Sequence, residues 1–283
     1  MSKAVSVSIV IPVYNEADHL AACLKAIARQ SVQPLEVIVV DNNSTDETRY
    51  IARQFPFVRL VTESRQGVVY ARDRGFDLAK GDIIGRIDAD TIIRDDWVST
   101  LQRIFADGSI DAVTGAAQYY DMALAHVLEG IDLRIRRYLA RVLGRSVALQ
   151  GANMALRRST WYDIRTHLCH RAGIHEDFDI SIHATAQGHR VGFDESLVAS
   201  LGYRQAEATY RAFTEYVMIS PRTYAAHGLT CHRYMYPVVA LAVIGFGPLR
   251  VLHRIYDADS GKIVWFRLLG PSTARVNPAT FVD

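Results

Sequence analysis

Cysteine is scarce in this chain of 283 residues: only Cys23, Cys169 and Cys231 occur, an odd number set far apart. That excludes a disulfide-stapled scaffold and points to a reducing compartment. Lysine is rarer than its chemistry would suggest, at Lys3, Lys25, Lys80 and Lys262 only, so nearly all positive charge is arginine. Codon usage accounts for this bias better than phosphate binding does, although guanidinium is the better fork for phosphate. Neither sign of charge dominates, with 32 Lys+Arg against 30 Asp+Glu and a formal net charge of +2. A duplex-binding protein would show a concentrated basic surface, so no nucleic-acid partner is expected. No Gly-x-Gly-x-x-Gly follows the first strand and no Gly-Lys-Ser/Thr loop occurs, which disfavours a dinucleotide oxidoreductase and a P-loop NTPase. The amino terminus has neither a long apolar block nor a cleavage site, and the expectation is a cytoplasmic protein.

The remaining composition is that of a globular domain: 49% hydrophobic and 22% charged. This excludes a disordered or collagen-like chain. Strand and helix signals alternate over the first hundred residues, the pattern of a parallel sheet with crossover helices. The apolar, β-branched run Val5 to Val13 predicts a strand, and Asn15 a cap for a helix to about Gln30 with Leu20, Leu24 and Ile27 on one face. Strands follow at Glu36 to Val40, Val58 to Thr62 and Ile83 to Ile87. Ser44 and Glu47 have capping-box spacing for a helix to about Gln54, and Val69 to Lys80 predicts a helix stopped by Gly81.

After Asp90 the pattern changes. Trp97 to Phe105 reads as helix, Ala112 to Tyr120 as extended, and Leu124 to Leu143 as a long amphipathic helix flanked by Arg134, Arg136, Arg137, Arg141 and Arg145. Packing on the sheet with a solvated arginine face is preferred over an anionic membrane surface. Tyr234 to Leu249 is uncharged and apolar but shorter than the ~20 residues of a spanning helix. Pro237 and Pro248 bracket it, and Arg250, His253 and Arg254 follow. An interfacial hairpin at the inner face of the plasma membrane and a buried terminal helix are equally supported.

In open α/β sheets, ligands gather beyond the carboxyl ends of the strands. Polar segments stand there: Tyr14-Asn-Glu16, Asp41-Asn-Asn-Ser44, Arg65-Gln-Gly67 and Asp88-Ala-Asp90. Asp88 and Asp90, alternate residues at a strand end, can point the same way, and two convergent carboxylates repel unless a cation joins them. Such an oxygen site suits Mg²⁺ or Mn²⁺ bridging a diphosphate. Asp41 can accept from a nucleobase or a ribose hydroxyl, or it can cap the loop before Ser44; spacing supports both equally.

Three of these segments, and Gly67 of the other, lie within four ordered motifs: Ile9-Val-Ile-Pro-Val-Tyr-Asn-Glu16, Val39-Val-Asp-Asn-Asn-Ser-Thr-Asp-Glu-Thr48, Gly67-Val-Val-Tyr-Ala-Arg-Asp-Arg-Gly75 and Gly81-Asp-Ile-Ile-Gly-Arg-Ile-Asp-Ala-Asp90. Together they resemble the inverting, nucleotide-sugar-dependent family 2 glycosyltransferases with the GT-A fold. The resemblance continues more loosely through Gln150-Gly-Ala-Asn-Met-Ala-Leu-Arg-Arg158 and the pair Glu176-Asp177. It implies an α/β fold, a mostly parallel Rossmann-like sheet flanked by helices. Residues 1–205 would form the transferase domain, with a nucleotide-binding half at 1–90 and an acceptor half at 91–205, and 206–283 a helical extension.

By position, the resemblance implies that Pro12, Tyr14 and Glu16 line the nucleotide pocket and Asp41 reads the base. Asp88, Ala89 and Asp90 would hold the ribose and the metal-bound diphosphate, with Asp90 the more direct metal ligand. Arg65 or Arg72 would approach the phosphates. Gln150, Gly151 and Asn153 would form a turn toward donor sugar or acceptor, although a plain structural turn needs only Gly151 and Asn153. Asp177 is implied as catalytic base, with Glu176 orienting it; the competing reading makes both acids the amino terminus of a helix over Phe178 to Ala186. The family commonly has Asn where this chain has Asp73.

The implied partners are a nucleoside-diphosphate sugar, a UDP-sugar before others, and a hydroxyl acceptor on a glycan or lipid-linked glycan. Processive relatives carry Gln-x-x-Arg-Trp after the acidic pair; Gly202-Tyr-Arg-Gln205 does not match it, which implies single addition. A sugar nucleotidyltransferase would need a basic Gly-rich loop after the first strand, and Tyr14-Asn-Glu-Ala-Asp18 is acidic. A non-catalytic binding module would have shed Asp88, Asp90, Glu176 or Asp177. Lastly, His167, Cys169, His170 and His175 carry the residue types of a zinc site, but no regular finger has this spacing, and packed or solvated side chains are the preferred reading. His183 or His189 could complete a metal shell, with nothing local selecting either.

Overall fold

A computed structural model describes residues 4–144, 147–257, 260 and 262–265. Arg145 lies outside the described residues. The chain builds strand β1 (Val7–Val13), helix α1 (Ala17–Ala28), β2 (Glu36–Asp41), α2 (Thr48–Arg53), β3 (Val58–Thr62), α3 (Val68–Leu78) and β4 (Ile83–Arg86). There follow β5 (Ile92–Ile93), α4 (Trp97–Ile104), β6 (Ala112–Tyr119), α5 (Ala125–Val142), β7 (Met154–Arg157), α6 (Arg158–Ile164), α7 (Glu176–Ala186) and β8 (Val191–Leu201). Helices α8 (Tyr210–Ala226) and α9 (Tyr236–Ile255) come next, then a small hairpin of β9 (Tyr256–Asp257) and β10 (Lys262–Ile263).

Eight strands form one sheet in the order β3-β2-β1-β4-β7-β6-β8-β5. The first four run parallel, and β7 is antiparallel to both β4 and β6. Because β1 lies between β2 and β4, strand order reverses there and opens a crevice beyond the carboxyl ends. The register places Val13 beside Asp41 and Val10 beside Arg86, so the loops after these strands converge.

The period-2 alternation of the central strands serves both faces. Ile9, Ile11, Val37, Val39 and Ile83 pack with Leu20, Leu24 and Ile27 of α1 and Trp97 of α4 on one side. Val10, Ile38, Val40 and Ile84 pack with Phe76, Trp161 and Ile180 on the other. Burial on both faces explains why these strands read as continuous apolar runs. Helix α3 presses so close that a Cβ at Gly75 would lie 2.3 Å from Val10 Cγ1.

Two capping expectations are corrected. Asn15 is not the cap of α1: it takes a left-handed φ of 53°, Glu16 precedes the helix, and the Asn15 Oδ1 accepts the Thr45 N–H at 2.8 Å. Nor do Ser44 and Glu47 form a capping box. Ser44 Oγ accepts from Asn15 N at 3.0 Å, and Asp46 Oδ1 accepts the Thr48 N–H at 3.0 Å. The polar residues are spent joining two strand-end loops instead of capping their own helices.

The arginines of α5 are not uniformly solvated. Arg136 turns inward to Asp132 at 2.5 Å and donates to Gln150 Oε1 at 2.6 Å. Helix α9 is neither a hairpin nor a buried helix. Pro237 sits in its first turn, where a missing N–H costs nothing. Phe246 is buried and stacks on Phe213 of α8 at 4.0 Å, whereas Leu241 and Ile244 are 56% and 74% exposed. An 18-residue window within Thr230–Ile255 has a mean hydropathy of 1.7, and by length and composition that stretch could cross a membrane.

Candidate active site

The loops after β1 and β2 are laced together. Glu16 N–H donates to Thr48 Oγ1 at 2.8 Å and Ala17 N–H to Asp46 Oδ2 at 3.1 Å. Tyr14 and Pro12 are both partly buried at this rim, Pro12 beside Val40. Asp41 is fully buried: Ser44 N–H donates to its Oδ1 at 3.3 Å and Arg49 Nε to its Oδ2 at 2.6 Å. Both carboxylate oxygens thus hold the loop that precedes α2.

Beyond β4, the acids expected from two distant motifs meet at one arginine. Arg86, only 3% exposed, lies with Nη2 2.9 Å from Glu176 Oε1 and 3.4 Å from Asp88 Oδ1. Gly151 makes room for it, since a Cβ there would stand 2.5 Å from the Arg86 Cζ. Asp177 accepts from two backbone amides, Gly151 N–H at 2.9 Å to Oδ2 and Phe178 N–H at 2.9 Å to Oδ1. Helix α7 begins at Glu176, so both acids also sit at its positive end.

This environment splits the acids. Withdrawal from water and repulsion by Asp90, Glu176 and Asp177 push Asp88 up to about 6, against the pull of Arg86. Burial and the neighbouring Glu176 charge also raise Asp177. Burial opposes ionisation of Glu176 too, yet Arg86, Arg72 and His175 outweigh it and hold the carboxyl below its usual range. One acid is kept ionised and its neighbour is primed to take a proton.

A second arginine closes the other side. Arg204 Nη1 lies 2.7 Å from Asp90 Oδ2 and 3.0 Å from Glu16 Oε2, and Tyr120 Oη donates to the Asp90 carbonyl at 3.3 Å. Arg204 thus joins Asp90 to Glu16, while Asp88 turns to Arg86. Ala89 is buried behind them. Sequence reasoning missed both arginines. Arg86 stands inside the Gly81–Asp90 motif, where an arginine in a run otherwise buried on both faces is the signal that marks it. Arg204 falls in the segment read only for its mismatch to Gln-x-x-Arg-Trp.

The two arginines expected at the phosphates stand apart. Arg65 is mostly exposed, its guanidinium 4.5 Å over the Tyr70 ring and 3.3 Å from Glu63. Arg72 is corrected to a supporting role: it is fully buried, donates through Nη1 to the Glu176 carbonyl at 2.7 Å and pairs with Asp73 at 2.6 Å. Asp73 also meets His170 Nε2 at 2.6 Å, and Arg72 and His170 outweigh burial to lower its pKa. An asparagine would bring no charge to these two bases, which accounts for the aspartate.

Asn153 is likewise corrected. It is fully buried, accepts from Trp97 Nε1 at 2.9 Å and donates to the carbonyls of Leu197 and Ala116 at 2.9 and 3.1 Å. It holds the turn and does not face a ligand. Gln150 and Asp177 line a cavity of about 230 Å³ that continues past Ile135, Leu139, Phe193 and Tyr216. This opening runs from the primed acid between α5 and α8.

A model of the family described as "Glycosyl transferase family 2" matches residues 8–164. The glycosyltransferase GlyG of Streptococcus pneumoniae serotype 4 is 32% identical over 120 residues, 41% of this chain and 40% of that protein. The glycosyltransferase AglE of Haloferax volcanii is 34% identical over 120 residues, 40% of each chain. The match thus spans about 40% of the length of these relatives. Among solved structures, the mannosyltransferase PcManGT from Pyrobaculum calidifontis, in complex with GDP-Man and Mn2+, superposes with a TM-score of 0.64 at 21% identity, covering 95% of this chain and 79% of that one. S. aureus TarS 1-349 in complex with UDP-GlcNAc gives a TM-score of 0.59 at 16% identity, covering 76% of this chain and 65% of that one. The fold is therefore GT-A.

Proposed function

This chain belongs to glycosyl transferase family 2, and on that premise we propose that it moves a single sugar from a nucleoside-diphosphate sugar to a hydroxyl acceptor with inversion at the anomeric carbon. The observation that carries this reading is the meeting of Asp88 with Glu176 across Arg86, with Asp177 next in the chain to Glu176, because it brings a diphosphate-side acid and the base-side acidic pair into one cleft.

In this account the crevice past β1, β2 and β4 takes the nucleotide, with Pro12, Tyr14 and Glu16 at its rim and Arg65 at its mouth. The acceptor enters along the cavity by Gln150. Asp177 takes the proton of the acceptor hydroxyl as its oxygen bonds to the anomeric carbon. The bond from that carbon to the diphosphate oxygen breaks on the opposite side, and the nucleoside diphosphate leaves with the electron pair. Glu176, kept ionised by Arg86, orients the acceptor, and the amides of Gly151 and Phe178 fix the Asp177 carboxylate.

The acids fit a divalent cation: Asp88 and Asp90 offer hard oxygen donors, and like-charge repulsion is already visible in the raised Asp88. They would hold Mg²⁺ or Mn²⁺, with Arg204 sharing the charge of Asp90. Bound there, the ion supplies charge to offset the departing diphosphate. Residues 1–205 form the transferase domain in this reading. The acceptor is a glycan or lipid-linked glycan, and the apolar face of α9 beside Arg250 and Arg254 rests on the inner face of a membrane.

Thermal shift against a panel of nucleotide sugars tests donor binding, since a ligand bound only by the native state raises Tm. One donor class should raise Tm with Mn²⁺ and not with chelator, and Asp90→Ala should remove the shift. No shift with any donor would overturn the proposal, and a shift with no turnover on any acceptor would reduce the protein to a binding module.

A further inference from the structure

One turn along α7 from the acidic pair, a second set of ligating side chains converges that sugar transfer does not use. Asp179 and His183 are four residues apart on one face of α7, Cys169 comes from the loop between α6 and α7, and His227 from the carboxyl end of α8. One donor atom from each lies within 4.8 Å of the others. His227 Nε2 is 2.8 Å from Asp179 Oδ1, and His183 Nε2 is 3.4 Å from the same oxygen.

The polar accounting there does not close by hydrogen bonds. The Asp179 side chain is 1% exposed, and its Oδ2 is satisfied by the Cys169 N–H at 2.8 Å. Its Oδ1 and both histidine Nε2 atoms are buried without a hydrogen-bond partner, despite lying next to one another. A buried carboxylate oxygen and two buried ring nitrogens left in this way are costly. A cation at their centre satisfies all three at once, and the thiol supplies the fourth corner.

We propose that Cys169, Asp179, His183 and His227 bind one structural zinc ion. A thiolate with two imidazoles and a carboxylate selects zinc over the hard Mg²⁺ or Mn²⁺ of the diphosphate cleft. Four protein ligands leave no open position, the mark of a structural site. The ion would tie the loop after α6, helix α7 and the end of α8 together. Helix α8 already receives the His175 N–H on Thr223 Oγ1 at 3.0 Å, immediately before Glu176. The zinc would therefore hold the amino terminus of α7, and with it Asp177, against α8. Only Cys169 and His183 belong to the residues that sequence reading raised. His170 goes to Asp73 and His189 lies 3.3 Å from Asp163, while Asp179 and His227 became visible only in the fold.

The test is metal content of the full chain, purified without an affinity tag and dialysed against micromolar Zn²⁺. About one equivalent of zinc is expected per chain, falling below about a tenth in Cys169→Ser and His227→Gln. Asp90→Ala and His170→Ala should keep it, so loss of sugar transfer and loss of zinc are separable. Co²⁺ added to the zinc-free wild type should give intense visible bands of a four-coordinate site with a thiolate-to-cobalt band. That spectrum decides the matter even where a ligand variant fails to fold. No retained zinc and no such cobalt spectrum, or equal zinc in wild type and folded ligand variants, would overturn the proposal.

Discussion

At the scale of single residues, the central asymmetry is between Glu176, held ionised by Arg86, and Asp177, raised by burial and by its neighbour. Asp177→Asn would remove the proposed proton acceptor without changing shape, and kcat should fall by roughly 10²–10⁴ with donor KM little changed. In the wild type, kcat/KM should drop on the acid side with a midpoint above the ordinary aspartate range near 4, and steady-state kinetics across pH measures both. Asp88 gives a stability signature of the opposite sense to most acids. Its folded pKa of about 6 exceeds the unfolded value of 3.8, so its contribution is fully present below pH 3.8 and is lost as pH rises through 6. In metal-free protein, Asp88→Asn should remove that loss and raise stability at pH 7. The gain is on the order of 1 kcal/mol, since solvent reaching the half-exposed carboxylate screens the repulsion. Denaturant unfolding at pH 4 and pH 7 reads it. Much of this was legible in the strand-end acids, because residue type and position after an apolar run are local facts. Their counter-charges were not: Arg86 and Arg204 reach Glu176 and Glu16 across 90 and 188 positions of chain.

Among the elements, strands and helices that bury a regular face were the easiest to read. β1 to β4 carry apolar runs between polar ends, and α1 keeps Leu20, Leu24 and Ile27 on one side. β5, β7 and β8 left little signal. β5 has two residues, β7 has four, and β8 carries Asp194 and Glu195 with a register shift in its partner between Gly115 and Ala116. The caps misled because Asn15 and Ser44 serve a loop partner about thirty residues away instead of their own helices. Helix α9 combines a buried Phe246 with exposed Leu241, Ile244 and Val251, and Arg250 and Arg254 stand in its last turns. If this face rests on lipid, a double Leu241→Ser, Ile244→Ser change should cut co-flotation with anionic vesicles at least several-fold and leave donor binding intact. Unchanged flotation, or none in the wild type, would remove membrane contact from the account.

For the molecule as a whole, the claim is that one cleft joins a diphosphate-binding half to an acid that deprotonates an acceptor. The sheet order makes this joint: β4, carrying Asp88 and Asp90 beyond its end, pairs on one side with β1 and on the other with β7, which follows the Gln150 turn. The most direct measurement is release of nucleoside diphosphate from a panel of nucleotide sugars, with Mn²⁺ and candidate hydroxyl acceptors. The account predicts release from one donor class that depends on the ion, rises with acceptor, and disappears in both Asp90→Ala and Asp177→Asn. Release that persists undiminished in either folded variant would contradict it.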